Sequence, residues 1–339
     1  MDSDGKSPGE DVEELTGFYP MAIQSLYRNE DQKCCYRAIN SQGVRVLWEI
    51  TSACNVECNF CLVEKKHRTI PLSQAMEMAS VLIDEGVEKF LISGGEPLLY
   101  PGIQELLTFL VERGVLVKLL TNGTIHHPAI FDLINKSEQI EVSLSVQTIE
   151  KRLADQIFQR PGSWAKLLET IRALPKDRLN IITTFSTINR ECIEPVIDWV
   201  VEQGIRCLSI TNVFQETTRP ARFLDNCLMY KEDPCHISRL FELIDRKRRE
   251  YEGRLVIRTT QFGGDSHETC EAGRSVLYID STGALLPCTL TDNHEYRELN
   301  ARLSLKALIR YYREQLPGLP PSSCVPLFYS KPKQEAVAE

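Results

Sequence analysis

No apolar run in this 339-residue chain approaches the roughly 20 residues that a membrane-crossing helix requires. The N-terminus, Met1-Asp2-Ser3-Asp4-Gly5-Lys6, lacks the basic-then-apolar order of a signal peptide. Basic excess is missing too. The 39 Lys and Arg face 47 Asp and Glu, a formal charge of -8, which argues against a nucleic-acid or membrane-surface partner. There is no internal repeat of short fixed period, and no low-complexity tract before the last few residues. These absences leave a chain of ordinary globular composition, 42% apolar and 25% charged, expected in the cytoplasm. In that reducing compartment its twelve cysteines are more often ligands than disulfide partners.

From Val44 to about residue 212, short segments rich in Val, Ile and Leu alternate with amphipathic ones. The pattern predicts strands over 44–50, 88–93, 115–120, 140–146, 179–185 and 205–211. Helices are predicted between them, over 72–86, 103–113, 128–136, 163–174 and 191–203. Gly86, Gly114 and Gly204 follow three of these helices, where a left-handed cap is wanted. Repeated strand–helix units without a hairpin signal indicate a parallel α/β sheet, either doubly wound or a partial barrel. Residues 213–234 read as irregular and 236–251 as an amphipathic helix. Ser275–Asp280, the turn Ser281-Thr282-Gly283 and Ala284–Cys288 form a hairpin, followed by a helix over 304–315.

Chemistry is concentrated in Cys54-Asn55-Val56-Glu57-Cys58-Asn59-Phe60-Cys61, directly after the first strand. Three thiolates on one loop can hold three of the four irons of a [4Fe–4S] cubane, leaving the fourth open to a substrate or cofactor. Zinc is the alternative, and it needs a fourth Cys or His. The nearest, His67, lies in the basic stretch Lys65-Lys66-His67-Arg68, which reads as a solvated loop. Further polar segments end successive strands: Ser93-Gly94-Gly95-Glu96-Pro97, Thr121-Asn122-Gly123 and Ser143-Leu144-Ser145. Strand C-termini form the face on which barrel enzymes assemble their sites.

With Phe60 before the third cysteine and Gly94-Gly95-Glu96 after the second strand, the chain resembles the radical S-adenosylmethionine (SAM) superfamily over about half its length. The resemblance implies a partial (β/α)6 TIM-like barrel with a [4Fe–4S] cluster on Cys54, Cys58 and Cys61. It places Phe60, Gly94, Gly95, Glu96, Thr121, Asn122, Ser143 and Ser145 towards SAM. Within that group Glu96 would accept from an ammonium group. Arg160 would hold the SAM carboxylate as a fork donor. Many relatives carry an acid after the strand-four serine, whereas Val146-Gln147 follows Ser145 here. In the family, one electron from the reduced cluster cleaves SAM to methionine and a 5′-deoxyadenosyl radical, which removes hydrogen from an unactivated carbon.

The C-terminal third resembles the auxiliary-cluster extension of the superfamily, twitch or partial SPASM, a small α+β unit. Cys270, Cys288 and Cys324 would be the ligands of a second [4Fe–4S] cluster. Leu327 stands where a common twitch arrangement has another cysteine. Cys227 and Cys235, between barrel and extension, are candidate hydrogen donors; Cys192 and Cys207 read as core residues. The run Arg246-Lys247-Arg248-Arg249 reads as a solvated helix face.

The expected organisation is an N-terminal tail and short helical segment (1–43), the barrel (44–212), a bridging region (213–267), the extension (268–328) and a flexible tail (329–339). The expected activity is oxidation, epimerisation or cross-linking of a natural-product precursor such as an amino sugar or nucleoside. A flavodoxin- or ferredoxin-like donor would supply the electron. A peptide substrate is the alternative, disfavoured by the short stretch ahead of the barrel. The alternative of another class is a non-catalytic iron–sulfur or zinc protein on the same fold.

Overall fold

The computed structural model describes residues 43–61, 63, 65–212, 234–260, 272–288 and 294–315. Its strands are β1 (Val44–Thr51), β2 (Val87–Gly94), β3 (Leu116–Thr121), β4 (Ile140–Ser145), β5 (Leu179–Phe185), β6 (Cys207–Asn212), β7 (Val256–Thr260), β8 (Val276–Ile279) and β9 (Leu285–Leu286). The helices between them are α1 (Leu72–Asp84), α2 (Ile103–Glu112), α3 (Pro128–Lys136), α4 (Lys151–Phe158), α5 (Ser163–Ala173), α6 (Ile193–Glu202) and α7 (Pro234–Glu250). After the last strand come α8 (His294–Arg302) and α9 (Leu305–Gln315).

The order across the sheet is β7-β6-β5-β4-β3-β2-β1-β8-β9, and only β9 runs antiparallel to its neighbour. The six expected strands and five expected helices are present within a few residues of their predicted bounds. Gly86, Gly114 and Gly204 adopt φ of 83°, 75° and 71° just past their helices, where a side chain would be strained. The sheet is unclosed, in keeping with a partial TIM-like barrel.

Four features go beyond the predicted pattern, one of them helix α8, which precedes the expected helix α9. Strand β7 adds to the β6 edge through α7. The predicted hairpin is present, but its first strand, β8, lies parallel to β1 and joins the main sheet. Helix α4 fills the stretch before Arg160, so that residue follows one helix and precedes another instead of opening one.

Residue parity divides the sheet into two unlike faces. Val46, Trp48 and Ile50 on β1, Phe90 and Ile92 on β2, and Val117 and Leu119 on β3 are at most 1% exposed. They meet the buried stripes of the outer helices, such as Ala75, Met78, Ala79 and Leu82 of α1 at helical spacing. Each such large apolar side chain contributes roughly 1.5–3 kcal/mol when fully buried.

The opposite, concave face alternates with the first. It carries Arg45, Leu47 and Glu49 of β1, Lys89, Leu91 and Ser93 of β2, and Lys118 and Leu120 of β3. It continues with Glu141, Ser143 and Ser145 of β4, Asn180 of β5, Ser209 of β6 and Arg258 of β7. A flat sheet would hold β2 and β7 about 24 Å apart, five strand spacings. Yet Arg258 perturbs the electrostatics of Lys89, Lys118 and Glu141, so the sheet curls until β7 faces β2 across the interior.

Two cationic segments depart from the solvated readings given to them. Lys247 is 4% exposed and pairs with Glu194, Asp198 and Glu250, fastening α7 onto α6. Arg248 donates to the Ile257 carbonyl of β7. Arg246 and Arg249 remain exposed, as expected. Cys207 is buried in the core but is disulfide-bonded, a departure from the expectation of free thiols, and Cys192, at the start of α6, is a half-buried free thiol.

Candidate active site

The cysteine loop leaves the C-terminal end of β1 and is tied down at several points. Its return limb pairs with the strand end: Ser52 N–H donates to Arg68 O at 2.8 Å, and Arg68 N–H donates to Ser52 Oγ at 2.8 Å. On the other side it rests on the C-terminus of α4, whose last carbonyls have no partner within the helix. Glu57 N–H donates to Phe158 O at 3.0 Å and Asn59 N–H to Ile157 O at 3.3 Å. The Gln159 side chain adds a bond to Asn59 Oδ1 at 2.9 Å.

The Gly94-Gly95-Glu96 segment crosses directly beneath this loop. A Cβ at Gly94 would lie 2.2 Å from Thr51 O, and one at Gly95 would lie 2.3 Å from Ala53 O. Gly94 also holds φ at 146°, a conformation that L side chains rarely adopt. Gly95 N–H donates to Thr51 O and Glu96 N–H to Ala53 O, both at 2.8 Å. Here the close approach permitted by the glycines is to the first loop's own backbone.

Glu96 is fully buried, and its side chain is occupied. Oε1 accepts from Thr121 Oγ1 at 2.7 Å and Leu98 N at 3.0 Å, while Oε2 accepts from Asn122 N at 2.8 Å. Burial pushes its pKa up to about 7 against the opposing pull of these donors. Three of the carboxylate's roughly four acceptor positions are thus spent on β3 and on its own turn, and one on Oε2 is left. Thr121 and Asn122 serve the same bracing. Asn122 Nδ2 donates to Asn55 Oδ1 at 2.9 Å, its Oδ1 accepts from Thr124 Oγ1 at 2.7 Å, and Asn55 Nδ2 reaches Thr124 Oγ1 at 2.7 Å.

Arg160 is half-buried and donates from Nη1 to the Asn55 carbonyl. Phe60, like Cys54 and Cys58, is partly buried and packs against the core. Ser143 is 1% exposed and accepts from Asn180 Nδ2 at 3.1 Å, so its side chain faces a neighbouring strand. Ser145, two residues nearer the mouth, is half-buried.

All three loop cysteines are half-buried thiols. Burial raises the pKa of each, and the charges of Cys61 and Cys54 raise Cys58 further. Lys65 opposes this at all three positions. It folds back to donate to Val56 O and pairs with Glu57 at 3.0 Å, so it departs from the solvated-loop reading. Lys66, His67 and Arg68 are exposed, as expected.

Thiols that burial keeps protonated need a positive centre to become thiolates, and iron would supply one. Among the described residues no three Cys, His, Asp or Glu converge on a single ion position. A cubane does not ask for that, since each cysteine binds a separate iron. The donor set fits such a cluster. The structure brings the loop cysteines, Phe60, Gly94, Gly95, Glu96, Thr121, Asn122 and Arg160 into one mouth. Cys288 follows β9 and is half-buried. Cys227, Cys270 and Cys324 lie outside the described residues, as does the side chain of Cys235. Sequence reasoning passed over Asn55, Thr124 and Lys65, whose tasks depend on partners distant in the chain or on a fold-back of the loop.

A curled parallel α/β sheet with three thiols on the loop after its first strand defines a class of cluster-binding half-barrel. Residues 48–200 match the Radical SAM superfamily, and the chain carries a radical SAM domain. That family implies SAM and a [4Fe–4S] cluster.

The chain is 28% identical over 151 residues to the antilisterial bacteriocin subtilosin biosynthesis protein AlbA of Bacillus subtilis (strain 168), covering 43% of this chain and 34% of that protein. It is 28% identical over 165 residues to the AdoMet-dependent heme synthase of Methanosarcina barkeri (strain Fusaro / DSM 804), 47% of each chain. With the GTP 3′,8-cyclase of Helicobacter pylori (strain ATCC 700392 / 26695) it shares 26% identity over 257 residues, 70% of this chain and 78% of that protein. The chain thus spans a third to a half of the length of the first two.

Among solved structures, Streptococcus suis SuiB bound to S-adenosylmethionine superposes with a TM-score of 0.63 at 20% identity, covering 92% of this chain and 75% of SuiB. Native anSMEcpe with bound AdoMet and Cp18Cys peptide gives 0.63 at 17% identity, covering 80% and 81%. At such identities the likeness concerns the fold alone. No helix among the described residues is long and apolar enough to cross a membrane.

Proposed function

We propose that this chain is a radical SAM enzyme that cleaves SAM reductively and removes hydrogen from a natural-product precursor. The observation that carries the reading is the bracing of the cysteine loop. The ends of β1, β2 and β3 and the end of α4 all hold it through specific hydrogen bonds. Such preorganisation is what a reactive centre requires. When bound, the cluster and SAM supply a 5′-deoxyadenosyl radical able to attack an unactivated carbon.

The protein's own residues set the stage for that chemistry. Cys54, Cys58 and Cys61 hold the iron. Glu96, Thr121 and Asn122 fix the loop spacing. Arg160, anchored through one nitrogen of its fork, has donors left for a carboxylate. The barrel wall keeps water away from the reacting carbon.

Oxidation, epimerisation or cross-linking of an amino sugar, nucleoside or similar small molecule is the reading taken forward. A peptide substrate is favoured by another observation: the matched proteins include a bacteriocin biosynthesis protein, a sporulation killing factor maturation protein and a PqqA peptide cyclase. An auxiliary cluster on Cys270, Cys288 and Cys324, hydrogen donation by Cys227 or Cys235, and a flavodoxin- or ferredoxin-like donor belong to the same proposal.

Anaerobic reconstitution with SAM and dithionite tests it. 5′-Deoxyadenosine should form above a Cys54→Ala control, and its absence returns the chain to a non-catalytic iron–sulfur or zinc protein. About eight irons per chain support two clusters and about four support one. Unchanged iron in Cys270→Ala removes the auxiliary assignment.

A further inference from the structure

Lys65 stands apart from the other cations of the return limb. Lys66, His67 and Arg68 are exposed, whereas the Lys65 side chain is 12% exposed. The chain turns at the third cysteine, where Cys61 N–H donates to Cys58 O at 3.1 Å. Lys65 follows that cysteine by four residues, and its Nζ donates back to the carbonyl of Val56. Val56 is buried and lies two residues from both Cys54 and Cys58. An ammonium group is therefore held against the middle of the cysteine loop, with Glu57 Oε2 3.0 Å away as its ion-pair partner.

The other charges acting on the thiols include Glu96 at Cys54 and Glu49 and Glu57 at Cys61, and the thiols act on one another. Lys65 opposes these negative charges at all three positions. Its ion pair is lopsided. The glutamate side chain is 57% exposed, so water and salt attenuate the acid more than the cation, and a net positive influence remains on the loop. Loading the site makes that influence matter. Three thiolates around an oxidised cubane carry about one net negative charge, and the electron that reduces it adds a second. Adding charge to a negative centre away from water is costly, and net charge is among the factors that set such potentials.

We propose that Lys65 is an electrostatic positioning residue: clamped to Val56, its ammonium group raises the reduction potential of the cluster held by Cys54, Cys58 and Cys61, and Glu57 trims the effect. This role rests on the cluster reading above and on no particular substrate. The redox step is the uptake of one electron by the oxidised cluster from an external reductant, dithionite in the assay. No bond or proton changes hands at Lys65.

Anaerobic redox titration of the reconstituted full chain, followed by electron paramagnetic resonance, is the test. The signal missing from Cys58→Ala identifies the loop cluster. Lys65→Gln keeps a donor for the Val56 carbonyl and removes the charge. At a fixed potential its ratio of reduced to oxidised cluster should fall about tenfold, which is about 59 mV for one electron. Lys65→Arg keeps the charge and should stay within about threefold of the wild type. Glu57→Gln removes the acid and should move the ratio upward. Its shift should be smaller than that of Lys65→Gln, because the acid is the more exposed partner. Iron content and thermal melts of each variant confirm that loaded, folded chains are compared.

A purely structural clamp gives no reason for the two partners of one ion pair to shift the potential in opposite directions. Lys65 loses this role if Lys65→Gln loads iron fully with its potential unchanged, or if Lys65→Arg falls as far as Lys65→Gln. It loses it equally if Glu57→Gln leaves the potential where it was or lowers it. Should Lys65→Gln take up no iron, the Arg variant and Glu57→Gln decide by the same readings. A wild type that assembles no loop cluster removes the role together with the cluster reading. Formation of 5′-deoxyadenosine is followed in parallel. Its absence beside the expected potentials removes the enzyme reading and leaves the role of Lys65 standing.

Discussion

The mouth and the floor of the half-barrel are both polar and largely buried, yet they are built on opposite plans. At the mouth each polar group has a near partner. Glu96 takes three donors, Asn122 and Asn55 bond each other, and Arg160 meets a main-chain carbonyl. At the floor, Lys89, Lys118, Glu141 and Arg258 act on one another across strands through the low-dielectric interior. A neutral hydrogen-bonded network fixes geometry, whereas a charged one depends on its protonation state. The mouth is made to hold still and the floor to respond.

Removing a loop thiol breaks the comparison most severely. Cys58→Ala should lose the loop cluster and reduce 5′-deoxyadenosine to background, read by iron content and product chromatography, while the fold persists. Gly95→Ala and Gly94→Ala come next. Each puts a methyl group against a main-chain oxygen of the cysteine loop. Urea unfolding should show at least about 1–3 kcal/mol of lost stability together with reduced iron loading. Retention of wild-type iron by both would show that the loop is less constrained than its contacts indicate.

Glu96→Gln is a smaller and sharper change. The amide sets a donor against at least one N–H or O–H that the carboxylate now accepts, costing about 1–3 kcal/mol. It also carries a pH signature. The folded pKa near 7 lies above the reference value of 4.5, so the native state holds the proton longer. The wild-type contribution is complete below about 4.5 and declines as pH climbs to about 7. The variant should lack this slope in melts taken across that window.

The floor should respond in the opposite sense. Lys89 has its pKa lowered from 10.5 to about 7, so the unfolded chain binds more protons between those values. Wild-type stability should rise with pH across that window. Lys89→Met should therefore melt higher than wild type below pH 7, with the advantage fading as pH approaches 10.5. A lower melting temperature at every pH would mean that this lysine is structural cement like the mouth residues.

Much of this was legible in the chain, and the exceptions have physical causes. The six barrel strands announced themselves as Val/Ile/Leu runs bounded by turn residues, and the cysteine spacing with Gly94-Gly95-Glu96 marked the mouth. Helix α4 was passed over because Lys151, Arg152, Asp155 and Gln156 crowd an eight-residue segment, leaving its apolar stripe of Leu153, Ala154, Ile157 and Phe158 inconspicuous. Strand β7, Val256-Ile257-Arg258-Thr259-Thr260, offers few apolar residues. Lysine and glutamate on a strand ordinarily mark a solvent face, so Lys89, Lys118 and Glu141 could be recognised as a cluster only once the sheet had curled. The roles of Glu96 and Asn122 required knowing that strand ends 25 to 70 residues apart meet, a tertiary fact that local pattern does not carry.

The parallel pairing of β8 with β1 has a consequence for the solution behaviour of the molecule. Without it, β1 would present the main chain of Arg45–Trp48 unpaired, a ready template for strands of other molecules. Covered by β8, and then by a β9 only two residues long, that margin tapers to almost nothing. The same hairpin that extends the sheet therefore serves as a guard against self-association, and a chain truncated before Val276 should precipitate where the full chain stays dispersed.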